Sequence, residues 1–173
     1  MAELCVKQIE DSYWLCCASH RIKCVVGAAG CISAEMKREG DSATPMGRWP
    51  LRGLYFRPDR ISLSRLSSYS VSTPIALTTA DGWCDDPEDS HYNQPVTLPY
   101  QGRHERLWRD DGLYDIIIPL GYNDVDPVPH KGSAIFLHCA MDDTVATKGC
   151  VGLPADALIA LLGYLTKDSY VTI

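Results

Sequence analysis

The stretch that decides the fold of this chain is Gly132-Ser133-Ala134-Ile135-Phe136-Leu137-His138, followed after a short polar loop by Thr147-Lys148-Gly149-Cys150-Val151. The first run is rich in apolar, β-branched and aromatic residues, which is typical of a buried strand, and it ends at His138. In the second run a Gly-Cys pair opens a new apolar segment. The pattern therefore predicts a strand that delivers a histidine close to a cysteine.

A thiol and an imidazole are the minimal set of groups for covalent acyl transfer. A thiol attacks only as the thiolate, its ordinary pKa is about 8.5, and an imidazole can take its proton and later return it to a leaving amine. Gly149 beside Cys150 permits the close backbone approach that donors to an oxyanion require. The spacing alone also fits a satisfied histidine at a strand end and another buried thiol. If thiolate and imidazolium must coexist, the pH profile is expected to be bell-shaped.

Length and charge narrow the class of protein. The chain has 173 residues, which suits a single domain over residues 1–173. Its formal net charge is −6 and it has no basic tract, so we expect no nucleic-acid partner. The start lacks a secretory signal and no apolar run is long enough to span a bilayer, so we expect a cytoplasmic protein without a membrane partner.

Eight cysteines are many for this length. A disulfide framework is not expected in a reducing compartment. A zinc site is not expected either, because Cys-x-x-Cys and finger-like histidine pairs are missing from the sequence, and we expect no metal and no cofactor. Four of the cysteines lie in apolar, strand-like surroundings and are expected to be buried as small hydrophobic residues. These are Cys16, Cys17, Cys24 and Cys31.

Elsewhere the sequence predicts a mainly β protein with one or two helices. The residues 81–111 are polar and aromatic with weak periodicity, which favours a functional loop or lid. A helix is predicted at 154–165, with its leucines on one face. The predicted strands cover 4–9, 13–18, 22–27, 51–56, 113–120 and 134–138, with a further one possible at 28–33, and residues 37–51 are predicted to be a loop that enters a strand.

Several ordered blocks of this sequence resemble the YkuD-type L,D-transpeptidase catalytic domain. The family carries a strand that ends in histidine, then a loop and a Ser/Thr-x-Gly-Cys signature, here 135–138 and 147–151. The segment Gly40-Asp41-Ser42-Ala43-Thr44-Pro45-Met46-Gly47 is similar to its Gly-Asp-x-x-Thr-Pro-x-Gly segment. The segments 81–87, 92–93 and 113–123 are similar to one compact branch of the family.

This resemblance implies a YkuD-like β-sandwich that acts on peptidoglycan stem peptides. By the resemblance, Cys150 is the nucleophile, His138 is the base and later the acid, Gly149 and Cys150 offer oxyanion-hole N–H groups, and Thr147 shapes the loop. The chain departs from the family at Lys148, where histidine is common, and at Gly152, where arginine or asparagine is common. Cys139 follows His138 where glycine is frequent.

Several further side chains are candidates for substrate binding. The aromatic residues Trp83, Tyr92 and Trp108 either line a substrate groove or anchor residues 81–111 onto the core. Glu105 is a candidate for recognising the side-chain amine of a diamino acid. The cations Arg48 and Lys148 are candidates for binding a stem-peptide carboxylate through a charge-assisted hydrogen bond, or are solvated surface charges.

The preferred hypothesis is a cytoplasmic L,D-carboxypeptidase that trims the terminal D-alanine from tetrapeptides or muropeptides during murein recycling. A second hypothesis is a periplasmic L,D-transpeptidase that forms cross-links. A third is a non-catalytic module that binds stem peptides. The sequence leaves the oligomeric state open.

Overall fold

Short strands make up most of the regular structure. The computed structural model describes residues 3–141 and 143–173. Its strands are β1 (Glu3–Ile9), β2 (Ser12–Cys17), β3 (His20–Cys24), β4 (Cys31–Ser33), β5 (Thr44–Met46), β6 (Arg48–Pro50), β7 (Tyr55–Phe56), β8 (Ile75–Ala76), β9 (Asp81–Cys84), β10 (Pro95–Thr97), β11 (His104–Arg106), β12 (Ile116–Pro119), β13 (Phe136–Cys139), β14 (Val151–Leu153) and β15 (Tyr170–Thr172). The α-helix is α1 (Ala155–Leu161), and 3₁₀ turns cover Leu63–Leu66 and Leu162–Tyr164.

Two five-stranded sheets form the sandwich. The N-terminal sheet has the strand order β3-β2-β1-β15-β6, and the central sheet has the order β14-β13-β12-β7-β8. A smaller sheet of order β10-β9-β11 belongs to residues 77–113, which we call the cap, and β4 pairs with β5. This architecture confirms the predicted mainly β sandwich with a short helix.

Side-chain alternation gives the central sheet two buried faces. Ile116 and Ile118 of β12 pack into the main core against the N-terminal sheet and α1, whereas Ile117 between them packs on the opposite face. That outer face forms a second cluster with Phe136 of the central sheet and with Leu107 of the cap. Successive residues of a strand point to opposite faces, so β12 and β13 each serve both clusters.

The predicted helix is confirmed in type and facing. Pro154 occupies the N-cap position, and the four leucines expected on one face are all buried in the main core. They are Leu158, Leu161, Leu162 and Leu165. None of the helices in the described part of the chain is both long and apolar enough to cross a membrane.

One predicted strand ends early in the structure, and two predicted loops contain strands. The strand predicted at 22–27 stops at Cys24, because Val25 and Gly27 instead form bridges with Gly152 and Thr147. The predicted loop at 37–51 contains β5 and β6. Residues 81–111, predicted to be a loop or lid, form the small sheet of the cap over the outer face of the central sheet.

Candidate active site

Cys150 and His138 lie on the same face of the central sheet. His138 belongs to β13, two residues after Phe136, so its side chain points to the cap side as that of Phe136 does. Strand β14 runs parallel to β13 with Gly152 opposite His138. Cys150 directly precedes β14 and packs in the same cluster as Phe136. The sequence-predicted thiol and imidazole thus lie on the same face of the central sheet, beneath the cap.

The sulfur of Cys150 is held by the backbone that enters β13. The Phe136 N–H donates to Sγ at 3.3 Å, and the thiol donates to the Ala134 carbonyl at 3.2 Å. The residue is 7% exposed. Burial, and then the nearby Glu105 carboxylate, raise the pKa of Cys150 to about 12, so the resting group is a neutral thiol.

The imidazole of His138 is oriented by the next residue. Its Nδ1 lies 2.6 Å from the Cys139 carbonyl, which can only accept, so Nδ1 carries the proton. Burial lowers the pKa of His138, although hydrogen bonds to the Cys139 and Leu113 backbone oppose this effect. Among the described residues, the hydrogen bonds of the thiol and of the imidazole go to backbone groups and not to each other.

Two threonines clamp the backbone at Cys150. Thr147 Oγ1 accepts the Gly149 N–H at 3.1 Å and donates to the Cys150 carbonyl at 2.7 Å. Thr44 Oγ1 donates to the same carbonyl at 3.4 Å and accepts the Gly27 N–H. The loop-shaping role expected of Thr147 is therefore visible as two hydrogen bonds.

Glycine is required at position 149. Its φ is +132°, and a Cβ there would lie 2.9 Å from the Ala43 carbonyl oxygen. Because Thr147 takes the Gly149 N–H, that group is not the free oxyanion donor that the family resemblance implied. The Cys150 N–H is the other of the two expected donors.

Asp41 fixes the conformation of the Gly-Asp-x-x-Thr-Pro block. Its carboxylate accepts from the buried Lys37 Nζ at 2.5 Å, from the Arg38 N–H at 2.7 Å and from the Ala43 N–H at 2.9 Å. These bonds fix the turn that presses Ala43 and Thr44 against Gly149 and Cys150. Burial opposes ionisation, but the three hydrogen bonds outweigh it and keep the pKa of Asp41 below its ordinary value.

Tyr92, expected among the substrate-binding residues, is instead an anchor of the cap. It is 3% exposed, donates to Glu39 Oε2 at 2.5 Å and accepts the Gly132 N–H at 3.0 Å. The adjacent Asn93 Oδ1 accepts from the Ala134 N–H at 2.9 Å, so the Tyr-Asn pair ties the cap to the residue that holds the thiol. No surface of Tyr92 is left for a substrate.

The other aromatic candidates also serve as anchors. Trp83 is 7% exposed, packs edge-on against Phe136 with ring centroids 5.1 Å apart, and donates Nε1–H to Asn93. Trp108 lies under the guanidinium of the buried Arg57, 3.7 Å from the ring centroid. Of the two readings that the sequence left open, anchoring is the one that these contacts support.

Arg48 is placed away from the thiol. It lies in β6 of the N-terminal sheet, where its guanidinium stacks 3.0 Å above the ring of Tyr170. Cys150 faces the opposite side of the central sheet. The predicted role of Arg48 in binding a substrate carboxylate is therefore not supported by its position.

Glu105 and Lys148 remain as charged groups near the thiol. Glu105 is in β11, its side chain is 29% exposed, and it accepts the Tyr114 O–H at 2.7 Å. Burial raises its pKa, while Tyr114, Arg109 and Lys148 favour the anion. Lys148 is exposed and directly precedes Gly149. The part of the chain around the candidate nucleophile thus carries both an anion and a cation.

Cavities flank the pair without including it. One of about 700 Å³ lies between β2, β3 and residues 140–146 and reaches Gly152. Another of about 180 Å³ lies under Trp83 and reaches Phe136. Neither of these two is lined by Cys150 or His138, because the cap covers both side chains.

Sequence reasoning missed Tyr114 and Thr44 as site residues. The ring of Tyr114 packs edge-on against His138 at 5.3 Å between centroids, and its hydroxyl binds Glu105. Tyr114 lies in a segment that was predicted to be a strand and was matched to the family, but its side chain was given no role. Thr44 had a signal, since it belongs to the Thr-Pro-x-Gly block, but its contact with Cys150 joins residues far apart in the chain.

In this β-sandwich a buried thiol and an oriented imidazole share one face of a sheet. This arrangement is typical of cysteine acyl-transfer enzymes, which are the candidate class. The profile of YkuD, the L,D-transpeptidase catalytic domain, matches residues 18–173. The chain therefore belongs to the YkuD family of L,D-transpeptidase catalytic domains, which are cysteine enzymes that act on peptidoglycan. A comparison with curated proteins gave no match.

The Asp41 network generates a prediction for stability against pH. Asp41→Asn should lower the free energy of unfolding at pH 7 by about 1–3 kcal/mol, because the buried Lys37 ammonium loses the negative charge that it bonds. A depressed carboxyl pKa stabilises the fold above the ordinary value of about 3.9 and ceases to do so as pH falls through the folded value. The difference from wild type should therefore shrink below about pH 4 in urea unfolding.

Asp156→Asn is the matched control, because its carboxylate is 90% exposed and pairs with Arg65 at the surface. This control should change the free energy of unfolding by less than about 1 kcal/mol, both at pH 7 and below about pH 4. Equal effects of the two substitutions at pH 7 would contradict the role given to Asp41.

Proposed function

We propose that this chain is a cysteine-dependent L,D-carboxypeptidase that removes the terminal D-alanine from peptidoglycan tetrapeptides and muropeptides in murein recycling. The observation that carries the proposal is the position of Cys150 and His138 on one enclosed face of the central sheet. Family membership supports the thiol chemistry and the peptidoglycan substrate. The trimming reaction is the finer step that we infer.

The proposed reaction begins from a neutral pair. His138 Nε2 takes the proton of Cys150 as the sulfur attacks the carbonyl carbon of the third residue, and a tetrahedral oxyanion forms. The bond to the D-alanine nitrogen then breaks, and His138 returns the proton to that amine. Water, deprotonated by His138, attacks the thioester and releases a tripeptide carboxylate and the thiol.

Enclosure of the thiol favours water over a second peptide as the acceptor. Cys150 is 7% exposed, and Trp83 of the cap packs in the same cluster, as does Tyr114 next to β12. A cross-linking enzyme has to hold a donor and an acceptor peptide at the thioester, whereas hydrolysis needs one peptide and water. Admission of even one peptide requires the cap to move away from Phe136, so we infer that the cap opens and closes during turnover.

The charges beside the thiol suit a stem peptide with a diamino acid. Glu105 is partly exposed and matches an ammonium group, and Lys148 matches a carboxylate. We infer that these two residues orient the third residue and its neighbour around Cys150. This retains two of the substrate-binding residues expected from the sequence.

Reduced cysteines support a cytoplasmic location for this activity. All eight cysteines are free thiols, and Cys5, Cys16 and Cys31 are only half-buried. An oxidising compartment would expose such thiols to disulfide formation and further oxidation.

The assay for the proposal is incubation of purified protein with a free tetrapeptide, with products followed by mass. We expect loss of one D-alanine with the wild type, no conversion with Cys150→Ala, and a loss of at least about 10²–10⁴-fold with His138→Ala. Cys16→Ala, a half-buried thiol of the N-terminal sheet, is the control that should retain activity.

Three results would count against the proposal. Intact tetrapeptide with wild-type enzyme would leave peptide binding without catalysis. Dimeric peptide as the main product would identify an L,D-transpeptidase instead. Equal trimming by Cys150→Ala would remove the thiol mechanism.

The pH profile of kcat/KM follows from the two buried groups. Burial lowers the pKa of His138 and raises that of Cys150, so we expect an acid limb centred below the ordinary imidazole value of about 6.5. The rate should then stay level from about pH 7 to 9, in place of the bell expected for a preformed thiolate–imidazolium pair. A rate that climbs steeply through pH 8 would mean that the free thiolate is the reacting species.

Cell fractionation tests the proposed location. We expect the protein, followed by antibody, to remain with a cytoplasmic marker when the outer compartments are released. Its recovery with a periplasmic marker would overturn the cytoplasmic assignment and would favour the cross-linking alternative.

A further inference from the structure

A hydrogen-bonded carboxylate and phenol join the cap to the central sheet above the thiol. The Tyr114 hydroxyl donates to Glu105 Oε1 at 2.7 Å. Glu105 lies in β11 of the cap, and Tyr114 lies two residues before β12 of the central sheet. Tyr114 is 7% exposed, whereas the Glu105 side chain is 29% exposed. The carboxylate is therefore fixed from the inside and open to a ligand from the outside.

This pair contacts the surroundings of both candidate catalytic groups. The ring of Tyr114 packs against His138, and it belongs to the same cluster as Cys150. Glu105 and Cys150 influence each other electrostatically, and after burial this carboxylate is the main factor that raises the pKa of the thiol. The negative charge thus opposes formation of the thiolate that the reaction needs.

The other charged groups around Glu105 do not fully neutralise it. Arg109 Nη1 lies 3.6 Å from Glu105 Oε1, but Arg109 is more closely held by Asp111, with Nε 3.0 and 3.1 Å from its two carboxylate oxygens. Lys148 favours the Glu105 anion and Asp85 disfavours it, and both act more weakly than Tyr114. A ligand cation would meet a carboxylate with remaining acceptor capacity.

We propose that Glu105, held by Tyr114, binds an ammonium group of the substrate and that this binding activates Cys150 by neutralising the negative charge beside the sulfur. The inference rests on the proposed function for the identity of the nucleophile. It adds a coupling between recognition and reactivity. A thiol that stays protonated until an ammonium-bearing acyl donor arrives is inert toward peptides without that group. Glu105 is then a specificity-determining residue as well as a binding one.

The test measures thiol reactivity and does not depend on turnover. The neutral reagent iodoacetamide is reacted with the full chain between about pH 6 and 10, and alkylation of the Cys150 peptide is followed by mass. This range lies on the rising limb below the pKa of the thiol, where Glu105→Gln should raise the alkylation rate about tenfold, because loss of the negative charge lowers the pKa of Cys150. Tyr114→Phe keeps the carboxylate and loses the same hydrogen bond, so its alkylation rate should stay near that of wild type.

Glu88→Gln is the matched control for removal of a cap carboxylate. The Glu88 side chain is 81% exposed and bonds His130 at the surface, so its loss should leave the Cys150 profile unchanged. An alkylation rate in Glu105→Gln equal to that of wild type would overturn the proposal. So would an equal rate increase in Tyr114→Phe, because that result reports only easier opening of the cap.

A second arm supplies the cation directly. Addition of n-butylammonium chloride at neutral pH should accelerate Cys150 alkylation several-fold in wild type and not in Glu105→Gln, with equal sodium chloride as the salt control. Equal response of the two proteins, or none, would overturn the coupling. Failure of the proposed carboxypeptidase function is a separate result, because it is read from intact tetrapeptide.

Discussion

Two threonine hydroxyls converge on the carbonyl of Cys150, and the rest of the candidate site depends on this clamp. Thr147 holds it at 2.7 Å and Thr44 at 3.4 Å, so the loop after β13 returns to the sheet in one register. Register decides the face, because a slip of one residue would turn Cys150 into the main core and Val151 toward the cap. The same close packing requires glycine at position 149, because a side chain there would clash with the Ala43 carbonyl oxygen.

Burial of a neutral pair has a different energetic cost from burial of an ion pair. A thiol that bonds the Ala134 carbonyl and an imidazole that bonds the Cys139 carbonyl satisfy their polar groups without separating charge. A resting thiolate and imidazolium in the same enclosed place would carry the desolvation of two ions. The fold therefore keeps both groups neutral, and charge separation is confined to the moment of attack.

The sequence predicts what local patterns encode and misses what distant partners decide. Three features are encoded by local patterns, and the structure contains them. They are the apolar, β-branched runs that lead into and form β12 and β13, the leucine face of α1, and the order of His138 and Cys150. The cap sheet was not predicted, because strands of three or four residues are too short to show alternation. Whether a candidate side chain meets a substrate or anchors the fold depends on partners far away in sequence. Trp108 stacks on Arg57, Tyr92 bonds Glu39 and Arg48 stacks on Tyr170.

The contacts of the cap differ between its margins and its middle. At the margins, Tyr92 and Asn93 bond the entry to β13, and Trp108 is pinned by a buried guanidinium. Breaking these contacts would leave buried polar groups without hydrogen-bond partners. This costs more free energy than separating apolar surfaces that water can then cover. Over the thiol, the contacts are mainly ring edges and apolar side chains, with the bond between Tyr114 and Glu105 as a polar link. A motion that admits substrate therefore has its lowest cost in the middle of the cap, where Glu105 is the group that an incoming cation meets.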